Sequence, residues 1–400
     1  MKILVVNTLY PPEIVGGAEV SVSLLAQALM RMGHQVAVVC LHGGSDPSVS
    51  NAEGIRIYRL PIDNTYWPFG QGHKPPALQR LGWHLRDVWN RRAARRFAEV
   101  LATERPDVVH TNNLTGLSVS LWAEARRAGI RVVHTLRDYS LICRRATLFR
   151  HGDNCRQRCS SCAAFTAPCR FASRFVDAVA SNSRFVLERH RALGYFPAMP
   201  GRVIYNVVDL GEHALLAHPP GDDLVFGFIG RIEAEKGIQV VLKAVELLPN
   251  KGWKLRIAGR GLDAHERSLK ASCKSERVEW LGFVNQQDFF ATIDVCLVSS
   301  VWPEPLPRVL LESISAGRAT ICSTAGGIPE ISGMSALIGS YEPHDHRRLA
   351  ELMTTAVQDA SRWKQRHAVR ADLTERFSPD VVATQYLDLY QGETAASADD

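Results

Sequence analysis

Apolar positions in this chain fall into short β-branched runs separated by stretches of helical spacing. Lys2–Asn7 is the first such run, the mark of a strand buried on both faces of a parallel sheet. A Pro/Gly loop from Tyr10 to Gly17 follows, and Ala18–Met32 then reads as an amphipathic helix that Gly33 ends. Gln35–Leu41 is the next strand, so the chain opens as a βαβ unit. Ile55–Leu60, Val108–Thr111, Arg131–Thr135 and Ala178–Ser181 are further strand-like runs. Helical patterns lie between several of them, which predicts a doubly wound parallel sheet.

The alternation breaks at the Pro/Gly-rich stretch His218–Asp223 and then restarts. Strands are expected at Leu224–Ile229, Lys254–Ala258, Val278–Trp280, Val295–Val298 and Ala319–Cys322. Helices are expected at Gly237–Leu248, at Asp263–Ser275 and across Val309–Ala316. The pattern therefore predicts two α/β units of similar size with a cleft between them. Ser378–Tyr390 forms one more amphipathic helix, and the tail 392–400 has too little apolar content to order.

Composition agrees with two soluble cores: 400 residues, 46% hydrophobic and 22% charged. The formal net charge of +6 is mild, which argues against a dedicated nucleic-acid binder. The apolar run behind Lys2 is too short for a signal peptide, and no run reaches a membrane span. A cytoplasmic location is expected, with the nine cysteines reduced unless they hold a metal.

Three constellations carry candidate chemistry. Gly16-Gly17-Ala18-Glu19 stands where a loop enters a helix, where bare backbone and free N–H groups suit a phosphate; a tight turn with no ligand is the alternative. Gly230-Arg231-Ile232-Glu233-Ala234-Glu235-Lys236-Gly237 follows a strand directly. Its two cations stand where open α/β sheets bind ligands, and together they suit a diphosphate; a solvated loop is the alternative. Glu304-Pro-Leu-Pro-Arg-Val-Leu-Leu-Glu312 spaces two carboxylates eight positions apart, with Glu312 on the helix face that carries Arg308.

In this order the motifs resemble family 4 of the retaining glycosyltransferases, which have the GT-B fold of two Rossmann-like domains facing across a cleft. The matching segments are PPEIVGGAE near the start, YNVVDL at 205–210, FIGRIEAEKG at 228–237 and LRIAGRG at 255–261. VEWLGFV at 278–284, EPLPRVLLE at 304–312 and AGGIPEI at 325–331 follow. The resemblance implies an acceptor-side domain over 1–205, with the 377–391 helix crossing back onto it, and a donor-nucleotide domain over 206–376. It implies that Arg231 and Lys236 bind the donor diphosphate, so that catalysis requires no cofactor. Glu304 would contact the transferred sugar and Glu312 the ribose. Gly16 and Gly17 would face donor phosphates or acceptor, and backbone near Leu306 and Pro307 would lie by the phosphates. Arg137 stands where the family often has His; it cannot act as a base and would bind charge, while His134 would pack in the core. Val207 stands at a turn where the family often has Gly, so the backbone there must avoid positive φ.

The implied activity is transfer of a sugar from a UDP- or GDP-sugar to a glycan or lipid-linked acceptor in surface polysaccharide synthesis. A sugar-nucleotide epimerase, a phosphorylase or a non-catalytic sugar-nucleotide binder would share the architecture. The Arg231/Lys236 and Glu304/Glu312 sets disfavour the first and last, and nothing marks the cofactor lysine a phosphorylase needs.

Two segments fall outside this scheme. Cys143, Cys155, Cys159, Cys162 and Cys169 crowd a stretch of little periodicity; structural zinc and free or disulfide-bonded thiols both fit it. Residues 66–105 interleave Trp67, Trp83 and Trp89 with Arg80, Arg86, Arg91, Arg92, Arg95 and Arg96, a composition that suits an anionic membrane surface or an ordinary amphipathic helix on a tryptophan core.

Overall fold

The computed structural model describes residues 1–69, 75–197, 199–208, 221–332, 338–365 and 375–393. Half of the expected boundary stretch (218–220) and most of the tail (394–400) lie outside them. The chain divides into two compact units. The first comprises Met1–Thr147, Arg156–Asp209 and Phe377–Asp400, and the second Leu148–Cys155 and Leu210–Arg376.

The first unit is built on strands β1 (Lys2–Val6), β2 (Gln35–His42), β3 (Ser48–Ala52), β4 (Ile55–Pro61), β5 (Val108–Thr111) and β6 (Arg131–Leu136). A small hairpin, β7 (Phe149–Arg150) with β8 (Asp153–Asn154), follows in sequence but belongs to the second unit; β9 (Ala178–Ser181) and β10 (Gly201–Val203) complete the first. The main sheet runs β10-β9-β6-β5-β1-β2-β4-β3 and is parallel except at β3. β3 pairs antiparallel at the edge and all five of its residues are exposed, so SVSNA shows no apolar pattern.

Helix α1 (Gly17–Arg31) buries Val22, Leu25, Ala26 and Leu29 against Ile3, Val5 and Val38. α2 (Ala77–Val88) and α3 (Arg91–Glu104) occupy the arginine-rich segment. Trp83 is turned inward and buried, Trp67 lies against Gly43 and Phe69, and Arg96 pairs with Asp63 at 2.9 Å. α4 (Ser120–Arg127), α5 (Ser160–Ala172) and α6 (Arg184–Arg191) complete the unit's middle. The cysteine segment is thus a hairpin and a helix rather than a loop. Its turn uses His151 (φ 55°) and Gly152 (φ 83°), the conformation a two-residue hairpin turn requires.

The second unit holds β11 (Leu224–Ile229), β12 (Trp253–Ala258), β13 (Val278–Gly282), β14 (Val295–Val298), β15 (Ala319–Ser323) and β16 (Ile338–Tyr341). All are parallel, in the order β13-β12-β11-β14-β15-β16. α7 (Ile238–Val245), α8 (Asp263–Ser272), α9 (Gln286–Ala291), α10 (Arg308–Ser315), α11 (Pro329–Ser332), α12 (His346–Gln358) and α13 (Ala360–Lys364) connect or follow these strands. Phe226, Val241, Leu255, Val295, Ile321 and Met353 are fully buried among them.

Helix α14 (Pro379–Gln391) belongs to the first unit, where Val382, Ala383, Tyr386 and Tyr390 join the core that α1 and the strands form. The Tyr390 hydroxyl lies 2.7 Å from His110 Nδ1, and Thr135 donates to the Tyr386 hydroxyl at 3.1 Å.

Candidate active site

Ligand sites of open parallel sheets form beyond the carboxyl ends of the strands, where order reverses. In the second unit that point lies between β11 and β14. The loop after β11 makes a single 3-10 turn, Ala234–Lys236, and Gly237 (φ 72°) starts α7. A Cβ at Gly237 would stand 1.8 Å from the Ser299 carbonyl oxygen, so only glycine lets this loop close on the end of β14. Ser299 Oγ donates to the Lys236 carbonyl at 2.9 Å, and the Val301 N–H to that of Glu235 at 2.9 Å.

This stitching brings Lys236 Nζ to 2.7 Å from Glu304 Oε2. Ser300 Oγ and Trp302 Nε1 donate to the same oxygen at 2.8 and 2.7 Å. Glu304 is only 5% exposed, and its other oxygen, Oε1, accepts no bond among the described residues. Nζ also stands 5.4 Å from the Trp302 ring centroid, within cation–π range. A third loop fixes the glutamate's backbone: Gly326 (φ 61°) approaches so closely that a Cβ would lie 2.2 Å from the Glu304 carbonyl, and the Gly327 N–H donates to that carbonyl at 2.8 Å.

Arg231 is half-exposed and ion-paired with Glu233 at 2.8 Å. Burial holds the Glu233 carboxyl above the usual carboxylate range, against the pull of Arg231. Glu312 lies one turn into α10, where Arg308 Nη2 reaches its Oε1 at 2.9 Å and Gln286 Nε2 donates to its Oε2. Leu306 is buried, and Pro307 precedes the first turn of α10. The second unit therefore brings Lys236 and Glu304 into contact and gives Arg231 and Glu312 partners of their own. Ser300, Trp302 and Gln286 each supply one donor and have no spacing signature in the sequence.

The first unit holds the remaining predicted residues. Gly16 caps α1 in an extended conformation, and its N–H donates to Glu19 Oε2 at 2.8 Å. The helix N-terminus expected to offer free N–H groups thus already holds an internal carboxylate. Glu19 is buried, which raises its carboxyl above the usual range although the Gly16 N–H and the Arg137 charge pull it down. A Cβ at Gly16 would meet nothing nearer than that carboxylate, at 3.8 Å, so packing within the fold does not demand glycine there.

Arg137 follows β6 and is 9% exposed. Its Nε donates to Asn112 Oδ1 at 2.8 Å and its Nη1 to Asn206 Oδ1 at 2.7 Å, so two neutral amide oxygens orient the guanidinium. Val207 has no positive φ. His134 is buried: its Nδ1 lies 2.9 Å from Thr111 Oγ1, its ring stacks on Phe196, and burial pushes it down to about 3. His110, bonded to Thr135 and Tyr390, is lowered by burial as well. Both imidazoles are neutral core groups.

No cysteine among the described residues forms a disulfide. Cys143 and Cys169 are buried, Cys159 is exposed at the start of α5, and burial pushes Cys162 and Cys169 up to about 12. Among the described residues no three His, Cys, Asp or Glu side chains converge to hold a metal ion.

Residues 16–207 match the family model of the glycosyl transferase 4-like domain, and residues 223–359 that of glycosyl transferases group 1. An uncharacterized protein of the cps region of Klebsiella pneumoniae is 33% identical over 392 residues, covering 98% of this chain and 100% of its own. Among solved structures, sucrose-phosphate synthase from Thermosynechococcus elongatus superposes with a TM-score of 0.73 at 20% identity, covering 99% of this chain and 100% of its own. Anabaena Alr3699/HepE in complex with UDP and glucose gives 0.70 at 18% identity, covering 98% and 100%.

Proposed function

The chain belongs to family 4 of the glycosyltransferases with the GT-B fold and is a hexosyl-transferring enzyme; from that premise we propose a retaining transferase that moves a sugar from a UDP- or GDP-sugar to a glycan or lipid-linked acceptor. The observation that carries this reading is the Lys236–Glu304 pair beyond β11 and β14, with Arg231 on the same loop as Lys236.

When the sugar leaves a nucleotide diphosphate, negative charge grows on the diphosphate oxygens. Fixed cations stabilise that charge more than they stabilise the bound donor, which lowers the barrier. Lys236 and Arg231 supply two such cations, so the transfer proceeds without a metal. Glu304 Oε2 is committed to Lys236, Ser300 and Trp302, which leaves Oε1 to accept from hydroxyls of the transferred sugar. Glu312, held by Arg308 and Gln286, accepts from the ribose diol, and backbone around Leu306 and Pro307 flanks the phosphates. In the first unit, Gly16 and Gly17 leave room for a ligand, and Arg137 binds a phosphate of donor or acceptor. The enzyme works in the cytoplasm in surface polysaccharide synthesis, a setting supported by the Klebsiella relative's place in a cps region.

A thermal-shift panel with UDP, GDP, ADP and NAD tests the reading. A nucleotide at about 100 times its Kd adds roughly 2.7 kcal/mol of stability. A rise in Tm with UDP or GDP, lost in folded Lys236→Ala, is expected. A rise with NAD alone would overturn it.

A further inference from the structure

Helix α2 presents two unlike faces. Trp83 points inward and is buried, and the His84 ring meets Phe165 of α5 at 6.4 Å, so this side is fixed to the fold. The opposite side carries Leu78, Leu81 and Leu85, which are 81%, 39% and 59% exposed. Three, four and seven positions apart, they lie within about 60° of one another around the axis. Trp89, 39% exposed, follows directly after the helix. Folding alone gives no reason to leave three leucines on one helix face in water.

The charges around this stripe have one sign. Arg80 and Arg86 stand on α2, and Arg91, Arg92 and Arg95 are exposed on the first turns of α3. None of the five makes an ion pair among the described residues, whereas Arg96 beside them is held by Asp63. The single acid of α2, Asp87, accepts from the Gly116 N–H at 2.6 Å and does not offset them. No helix among the described residues is long and apolar enough to cross a membrane.

We propose that α2 docks the protein on an anionic bilayer, with Leu78, Leu81 and Leu85 seated at the headgroup–acyl boundary and Trp89 and the flanking arginines among the lipid phosphates. A short leucine stripe rimmed by unpaired cations matches that surface in both respects: apolar depth of a few ångströms, and negative charge at its edge. The tryptophans and arginines of 66–105 suggest such a surface in the sequence, but the inserted side chains are leucines and Trp83 has no part in it. The proposal rests on the reading that the acceptor is lipid-linked.

Vesicle flotation tests it, with vesicles of phosphatidylcholine alone and of phosphatidylcholine mixed with phosphatidylglycerol. The wild-type chain is expected to float with the anionic vesicles only, and to be released by high salt. Combined Leu78→Gln, Leu81→Gln and Leu85→Gln should weaken binding by about tenfold or more, as should combined Arg86→Gln, Arg91→Gln, Arg92→Gln and Arg95→Gln. Both variants should keep the wild-type Tm rise with UDP or GDP, which separates docking from nucleotide binding. A wild-type chain that binds nucleotide but floats with neither vesicle overturns docking and leaves the transferase reading intact. A leucine variant that floats like wild type overturns it too. So does a wild-type dimer, seen by sedimentation, that the leucine variant dissolves, because the stripe would then cover a second copy.

Discussion

Glu304 gathers a lysine, a serine and an indole N–H on one carboxylate oxygen, and that asymmetry makes it the residue to perturb. A glutamine keeps the volume but has one oxygen and no charge. If that oxygen faces Ser300 and Trp302, Lys236 loses its counterion; if the amide nitrogen faces them, three donors meet a fourth. Glu304→Gln should therefore lower the transfer rate by about a hundredfold or more and destabilise the fold by about 1–3 kcal/mol. Initial rates and melting curves on the purified variant check both, and full activity would remove Glu304 from the site. Arg231 differs from Lys236 in this respect. Its pair with Glu233 is partly solvated, contributes little to stability, and opens at small cost when a diphosphate competes.

At the scale of the element, α2 carries a second consequence besides its leucines. Asp87 sits at the helix's carboxyl end, where the backbone dipole disfavours a negative charge, and burial lifts it from an ordinary value near 3.8 to about 7. Between those two values the folded chain holds a proton that the unfolded chain has released. Stability contributed by this group therefore falls as pH rises from about 4 to about 7. Asp87→Asn keeps an acceptor for the Gly116 N–H and removes the titration. Its Tm should exceed that of wild type at pH 8, with the gap closing near pH 5. Equal slopes for the two proteins would show that Asp87 ionises freely.

The elements also show what the chain's pattern discloses. Buried parallel strands such as β1, β11 and β14 are uninterrupted apolar runs and are visible as such. β3 is an exposed edge of small polar residues, and the β7–β8 hairpin has two-residue strands, so neither leaves a periodic trace. Lys236 and Glu304 stand in loops that follow legible strands, which is why both are found. The internal cap of α1 was within reach: Glu19 three residues after Gly16 has the capping-box spacing, with glycine in place of the usual serine or threonine. Ser300, Trp302 and Gln286 could not be found this way, because their role depends on which loops meet in space.

For the molecule as a whole, the chain visits the first unit, builds the second, and returns. α14 is separated in sequence from the strands it covers by all of residues 210–376, yet Tyr386 and Tyr390 are among the largest fully buried side chains. Tyr390→Phe leaves the shape intact and strands the buried His110 Nδ1, which burial keeps neutral. The expected loss is about 1–3 kcal/mol, measured by urea unfolding, with the m-value unchanged. No loss would mean that the tyrosine hydroxyl contributes nothing there.

That return has a consequence in time. A growing chain emerges from the ribosome at about 5–20 residues per second, so roughly 8–33 s separate synthesis of residue 209 from that of α14. During that interval the first sheet exists with one flank of its core uncovered, while the second unit can already close. The order of completion is thus the reverse of the order of synthesis, and the first unit is the one whose apolar surface stays uncovered longest.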